Sequence, residues 1–115
     1  MERKVEISML LQIYGKLLTK KQQDVMNLYY NDDLSLSEIA EINKISRQGV
    51  NDIIKKGETN LLEYEKVLHI MKTTETNTKM IDSIIFELSK IDDNTSKNEL
   101  QKILNNVQKK LHSME

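Results

Sequence analysis

Proline is absent from all 115 residues, and glycine occurs only at positions 15, 49 and 57. Proline removes a helix hydrogen bond and glycine frees the backbone, so a chain this poor in both has few means of interrupting a helix. The apolar residues agree. Ile7, Leu10, Leu11, Tyr14, Leu17 and Leu18 recur at helical intervals and predict a first helix over roughly residues 3 to 17, weakened near its end by Gly15. Thr19 can cap a second helix with Val25, Met26, Leu28 and Tyr29 on its apolar side, and Asn31, Asp32 and Asp33 stop it. No segment alternates with period two, and no internal repeat is present.

The stretch "LSLSEIAEINKISRQGVNDIIKK" is the most specific. Ser35 and Glu38 have capping-box spacing and open a short third helix through Leu36, Ile39 and Ala40. Asn43 and Lys44 form a tight turn, since asparagine tolerates a left-handed backbone. Ser46 caps a fourth helix, with Val50, Ile53 and Ile54 facing inward. Gly57 interrupts the pattern at a cost of ~1 kcal/mol and is a candidate break. The apolar spacing then resumes at Leu61, Leu62, Tyr64, Val67, Leu68 and Met71, which predicts a helix to roughly residue 72. "TTETNTK" reads as a linker or helix junction. Met80, Ile81, Ile84, Ile85, Leu88 and Ile91 make another stripe, "DDNTSKNE" interrupts, and Leu100, Ile103, Leu104, Val107 and Leu111 make the last. The expectation is an all-α protein of about six helices in two parts: a helix-turn-helix domain with its N-terminal helix over 1–72, and a C-terminal helical segment over 73–115.

Residues 35–57 meet the needs of a helix-turn-helix. Ala40 is small where two helices approach; Ile39, Ile45, Val50 and Ile53 face inward; Asn43 to Ile45 make the turn; Ser46 caps the second helix. An ordinary helical hairpin is the alternative. Outside the apolar stripe stand Lys44, Arg47, Gln48, Asn51 and Lys55. Arginine pairs bidentately with guanine or phosphate, glutamine and asparagine pair with adenine, and the helix N-terminus favours phosphate. These five are the candidate nucleic-acid contacts. The charge balance works against them: the chain has a net charge of −1 and a pI near 6.1. From Ser35 to Asn60, Glu38, Glu41, Asp52 and Glu58 offset Lys44, Arg47, Lys55 and Lys56, and nucleic-acid affinity draws chiefly on phosphate neutralisation. Lys20, Lys21, Arg3 and Lys4 could add to it, whereas Asp52 would repel phosphate. The polar helix therefore contacts RNA or DNA, docks on a protein, or is simply solvated.

Other chemistry is poorly provided for. There is no cysteine, so disulfides and thiolate metal sites are excluded. His69 and His112 are the only histidines and lack a carboxylate cluster at ligand spacing. Asp32–Asp33 and Asp92–Asp93 are expected as turn residues, and no glycine-rich phosphate loop occurs. Tyr29 and Tyr30 could stack on bases, but Tyr29 reads as core and Tyr30 as packing at a helix end. No enzyme, cofactor or metal is expected. The first residues lack a signal-peptide apolar run, and no stretch approaches the roughly 18 apolar residues of a membrane span, so a soluble cytoplasmic protein without membrane insertion is expected. The first helix is apolar on more than one side, with Val5, Met9 and Ile13 beyond the main stripe, and the last stripe also needs cover. A homodimer pairing these arms and burial within one chain are both open.

Residues 17–65 resemble region 4 of bacterial sigma factors. The whole chain more closely resembles the YlxM family of small bacterial proteins, through "LLTKKQQ", "LYYNDDLSLSEIA", "SRQGVNDII" and "LLEYE". It departs in its turn, where sigma-like sequences carry an apolar residue followed by glycine or asparagine, and at Gly49, where family members usually carry alanine. The resemblance implies a helix-turn-helix accessory or regulatory protein of the signal recognition particle pathway, with the particle's RNA, its GTPase or both as partners. A DNA-binding transcription regulator and a protein-only interaction adaptor are the alternatives.

Overall fold

A computed structural model describes residues 2–115 of the chain. Among these it contains six α-helices and no strand: α1 (Arg3–Tyr14), α2 (Lys20–Tyr30), α3 (Leu36–Asn43), α4 (Arg47–Leu68), α5 (Ile70–Ser89) and α6 (Lys97–Ser113), with a single 3-10 turn at Gly15–Leu17. The residues up to Met71 form one compact unit, and Lys72–Glu115 form a second.

Helix starts follow from local chemistry. Each of α2, α3, α4 and α6 opens on a hydroxyl residue (Thr19, Ser35, Ser46, Ser96) whose side chain accepts a hydrogen bond from an amide of the first turn. At Thr19 the box is reciprocal: the Gln22 amide donates to Thr19 Oγ1 at 3.2 Å, and the Thr19 amide donates to Gln22 Oε1 at 3.0 Å. Ser35 and Glu38 repeat it at 3.1 and 3.0 Å. As Gly15 suggests, α1 gives way there to the 3-10 turn. Asn31–Asp33 do end α2, and Asp33 takes a left-handed backbone.

In the first unit α4 is the axis, against which α1, α2 and α3 all pack. Two clusters result. Ile7, Leu10, Leu11, Tyr14, Leu18, Met26 and Leu61 form one; Val25, Ile39, Ala40, Val50 and Ile54 form the other; half-buried Tyr30 touches both. Ile7, Leu10, Leu11, Tyr14 and Leu18 of the first apolar stripe are thus covered inside their own unit, while Leu17 in the 3-10 turn and Val5 are exposed.

The structure bears out a helix running through Gly57 and corrects the sequence reading at two other places. Gly57 is not a break. It lies buried within the unbroken 22-residue α4, and a Cβ there would stand 2.2 Å from Met26 Sδ. The missing side chain is where α2 comes down onto α4. The break comes instead at His69, which adopts a left-handed conformation (φ 54°). A clasp holds the next turn: Tyr14 Oη donates to Glu65 Oε1 at 2.7 Å, the Ile70 amide donates to Tyr14 Oη at 3.1 Å, and the Met71 amide donates to Glu65 Oε1 at 2.9 Å. Otherwise unsatisfied amides at the start of α5 are met in this way. Burial, reinforced by the Glu65 carboxylate, raises the Tyr14 hydroxyl above the ordinary tyrosine range. The second correction concerns "TTETNTK", which is part of α5 rather than a linker or junction. Its threonines are compatible with a helix, and Thr76 Oγ1 donates to the Lys72 carbonyl one turn back at 3.0 Å.

In the second unit, α5 and α6 meet through side chains. Lys110 Nζ donates to Ser83 Oγ at 2.6 Å and stands 3.9 Å from Glu87 Oε1. Ile84 on α5 and Val107 on α6 are its buried apolar residues.

Candidate nucleic-acid interface

The segment from Ser35 to Gly57 folds as two helices joined by a turn of three residues, Lys44–Ser46. Ile39 and Ala40 of α3 pack with Val50 and Ile54 of α4, and Ile45 of the turn is half-buried against them. The left-handed residue in the turn is Lys44 (φ 56°, ψ 43°), not Asn43. Asn43 stays helical because its side-chain amide donates to the Ile39 carbonyl at 3.0 Å. The Ile45 amide then donates to the Ala40 carbonyl at 3.1 Å and the Lys44 amide to the Glu41 carbonyl at 3.4 Å, a Schellman closure. A lysine in this conformation costs on the order of 1 kcal/mol relative to glycine.

The Ser46 hydroxyl accepts from the Gly49 amide at 2.9 Å and fixes the first turn of α4. Arg47 and Gln48 are exposed on that turn and Asn51 is half-buried one turn on. With Leu36, the first residue of α3, these three line an open depression of about 300 Å³. The five candidate contacts are therefore not all gathered together. Lys55 is exposed on the same face of α4, since Gln48, Asn51 and Lys55 follow helical spacing, but it does not line the depression, and neither does Lys44. Leu36 is the member that the sequence reading did not single out as functional. Its position beside a capped helix start was visible, but its approach to Arg47 is a consequence of the α3–α4 crossing.

Electrostatics on this face differ from a simple count. Glu58 pairs with Arg3 at 3.7 Å and accepts a hydrogen bond from Tyr30, so its charge is spent on α1 and α2. Burial and that carboxylate raise the Tyr30 hydroxyl. Glu38 is occupied in its box, where the Ser35 amide and then the Ser35 hydroxyl hold its carboxyl below its ordinary value. Asp52 remains on the α4 face, accepting from Gln48 Nε2 at 2.9 Å. That bond uses one Nε2 hydrogen and leaves the second, with Oε1, to meet a ligand. Tyr29 does not present a free ring: Lys4 Nζ lies 5.4 Å from its centroid, and Tyr30 packs on it edge-to-face at 5.0 Å.

Six helices with a capped helix-turn-helix define a helix-turn-helix protein. The profile of the family described as "UPF0122: Putative helix-turn-helix protein, YlxM / p13 like" matches residues 1–107. The chain belongs to that family. It is 45% identical over 111 residues to a UPF0122 protein of Clostridium perfringens (strain 13 / Type A), covering 91% of this chain and 99% of the relative. It is 51% identical over 88 residues to one of Clostridium botulinum (strain Alaska E43 / Type E3), covering 76% and 81% of the two chains. A Clostridium acetobutylicum relative is 38% identical over 113 residues, covering 98% and 97%. No helix among the described residues is long and apolar enough to cross a membrane.

Proposed function

We propose that this chain is a cytoplasmic accessory protein of the signal recognition particle pathway, without enzymatic activity, that contacts the particle's RNA through the start of α4. One observation carries the contact: Arg47, Gln48 and Asn51 line a single open depression at a capped helix N-terminus. A guanidinium, two amide side chains and the positive end of a helix together suit a phosphate flanked by a base edge. The pathway rests on the resemblance to the YlxM family. Lys55, one turn further along the same face, and Lys44 in the turn extend the contact along the phosphate backbone.

Asp52 beside Gln48 argues for a modest affinity that relies on few phosphates. It also favours the competing reading, an adaptor that meets a protein such as the particle's GTPase through polar contacts. Binding of the purified chain to the particle's RNA, its GTPase and random duplex DNA, each at two salt concentrations, separates the readings. RNA binding that Arg47→Ala weakens by roughly ten-fold, with the salt slope reduced by about one, supports this proposal. Preference for duplex DNA would make the protein a transcription regulator. GTPase binding unchanged by Arg47→Ala and Lys55→Ala, with no RNA binding, would make it a protein-only adaptor.

A further inference from the structure

The second unit buries little of its own apolar surface. Beyond Ile84 and Val107, five aliphatic residues stay 40–59% exposed: Ile81, Ile85 and Leu88 on α5, and Leu104 and Leu111 on α6. Helical spacing fixes where they lie. At about 100° per residue, Ile81, Ile85 and Leu88 fall on one flank of Ile84, while Ser83 and Glu87 fall on the other. On α6, Leu104 and Leu111 fall on one flank of Val107, and Lys110 on the other. Lys110 joins the two polar flanks through Ser83 and Glu87. The two apolar flanks therefore turn the same way and form one continuous face.

We propose that this face is where a second copy of the chain docks, α5 of each copy lying against α6 of the other in a four-helix arrangement. The five side chains expose on the order of 400 Å² of apolar surface, within the roughly 300–600 Å² of a monomer's largest patch, a patch that is often functional. A homodimer of standard size buries about 800 Å² per partner, some two-thirds of it apolar, so these five side chains supply about three-quarters of the apolar area needed. The charges favour the crossed pairing. α5 carries three acids against two lysines, and α6 four lysines against one acid. A two-fold axis applies that attraction twice. The centre of the face is aliphatic carbon, with exposed Gln108 beside Leu104 and Leu111, and a copy of itself matches that aliphatic centre. The inference is independent of the RNA reading above.

Sedimentation equilibrium of the full chain between about 1 and 100 μM tests it. The expected result is twice the 13.4 kDa chain mass, with Ile85→Glu and Leu111→Glu each raising the dimer dissociation constant by a hundred-fold or more while far-UV circular dichroism stays helical. Val67→Glu, at an exposed site in the first unit, should leave the dimer intact. If either glutamate variant loses helicity, Ile85→Ser and Leu111→Ser take their place, with a ten-fold weakening expected. A wild-type chain that is monomeric throughout the range overturns the proposal. So does a dimer that survives all the substitutions on α5 and α6, or one that Val67→Glu dissolves.

Discussion

Gly57 shows how one residue can satisfy two opposing demands. In an exposed helix, replacing glycine by alanine stabilises by ~1 kcal/mol. Here the added methyl meets the sulfur of Met26, a side chain with no exposure of its own. Methionine is flexible, but a fully enclosed one has nowhere to go without moving its neighbours, and overpacking of this kind costs about 1–3 kcal/mol. Gly57→Ala is therefore expected to lower stability by about 1 kcal/mol net, even though the residue is helical. In a Met26→Ala background the same change should stabilise. A double-mutant cycle by urea denaturation reads both signs; a stabilising Gly57→Ala in the wild-type chain would show that Met26 yields cheaply.

The elements were legible in the sequence to unequal degrees. The beginnings of α2, α3 and α4 were clear, because a cap is written within four residues: Thr19 with Gln22, Ser35 with Glu38, Ser46 with Gly49. The ends of α1 and α2 were marked too, by Gly15 and by Asn31–Asp33, but the end of α4 was not. Gly57, a candidate break within a helix expected to run on, is a contact, while His69 carried no stop signal and is one, because Tyr14 and Glu65 capture the amides that follow it. The candidate site divides in the same way. Arg47, Gln48 and Asn51 could be named from the helix start, but their meeting with Leu36 needed the crossing of α3 and α4. The caps also carry a pH signature. The Glu38 carboxyl is held low by the Ser35 amide and hydroxyl, so its stabilisation is present above the unfolded group's titration and fades as pH falls through the folded value. Glu38→Gln should flatten the fall in melting temperature between about pH 5 and pH 3; an unchanged profile would mean the box does not govern acid stability.

At the scale of the whole molecule, a neutral helix-turn-helix has little electrostatic grip to offer singly. Two copies joined through α5 and α6 would offer two such helices to one ligand, and the second contact would then form at a high effective concentration. If both proposals hold, Ile85→Glu should weaken binding to an RNA long enough to reach both sites by ten-fold or more, and leave binding to a short stem unchanged. Equal effects on both RNAs would mean that each copy binds alone. The clasp at the end of α4 bears on the chain's history as well as its resting state. Tyr14 is made early in synthesis, yet the carboxylate that accepts its hydroxyl proton lies 51 residues later. The ribosome therefore makes α1 well before the residues of α4 that complete its cover. Until Leu61, Glu65 and Met71 emerge, the nascent chain has only Leu18 and Met26 of this cluster to set against Ile7, Leu10, Leu11 and Tyr14, so the first unit cannot close before the end of α4 is made.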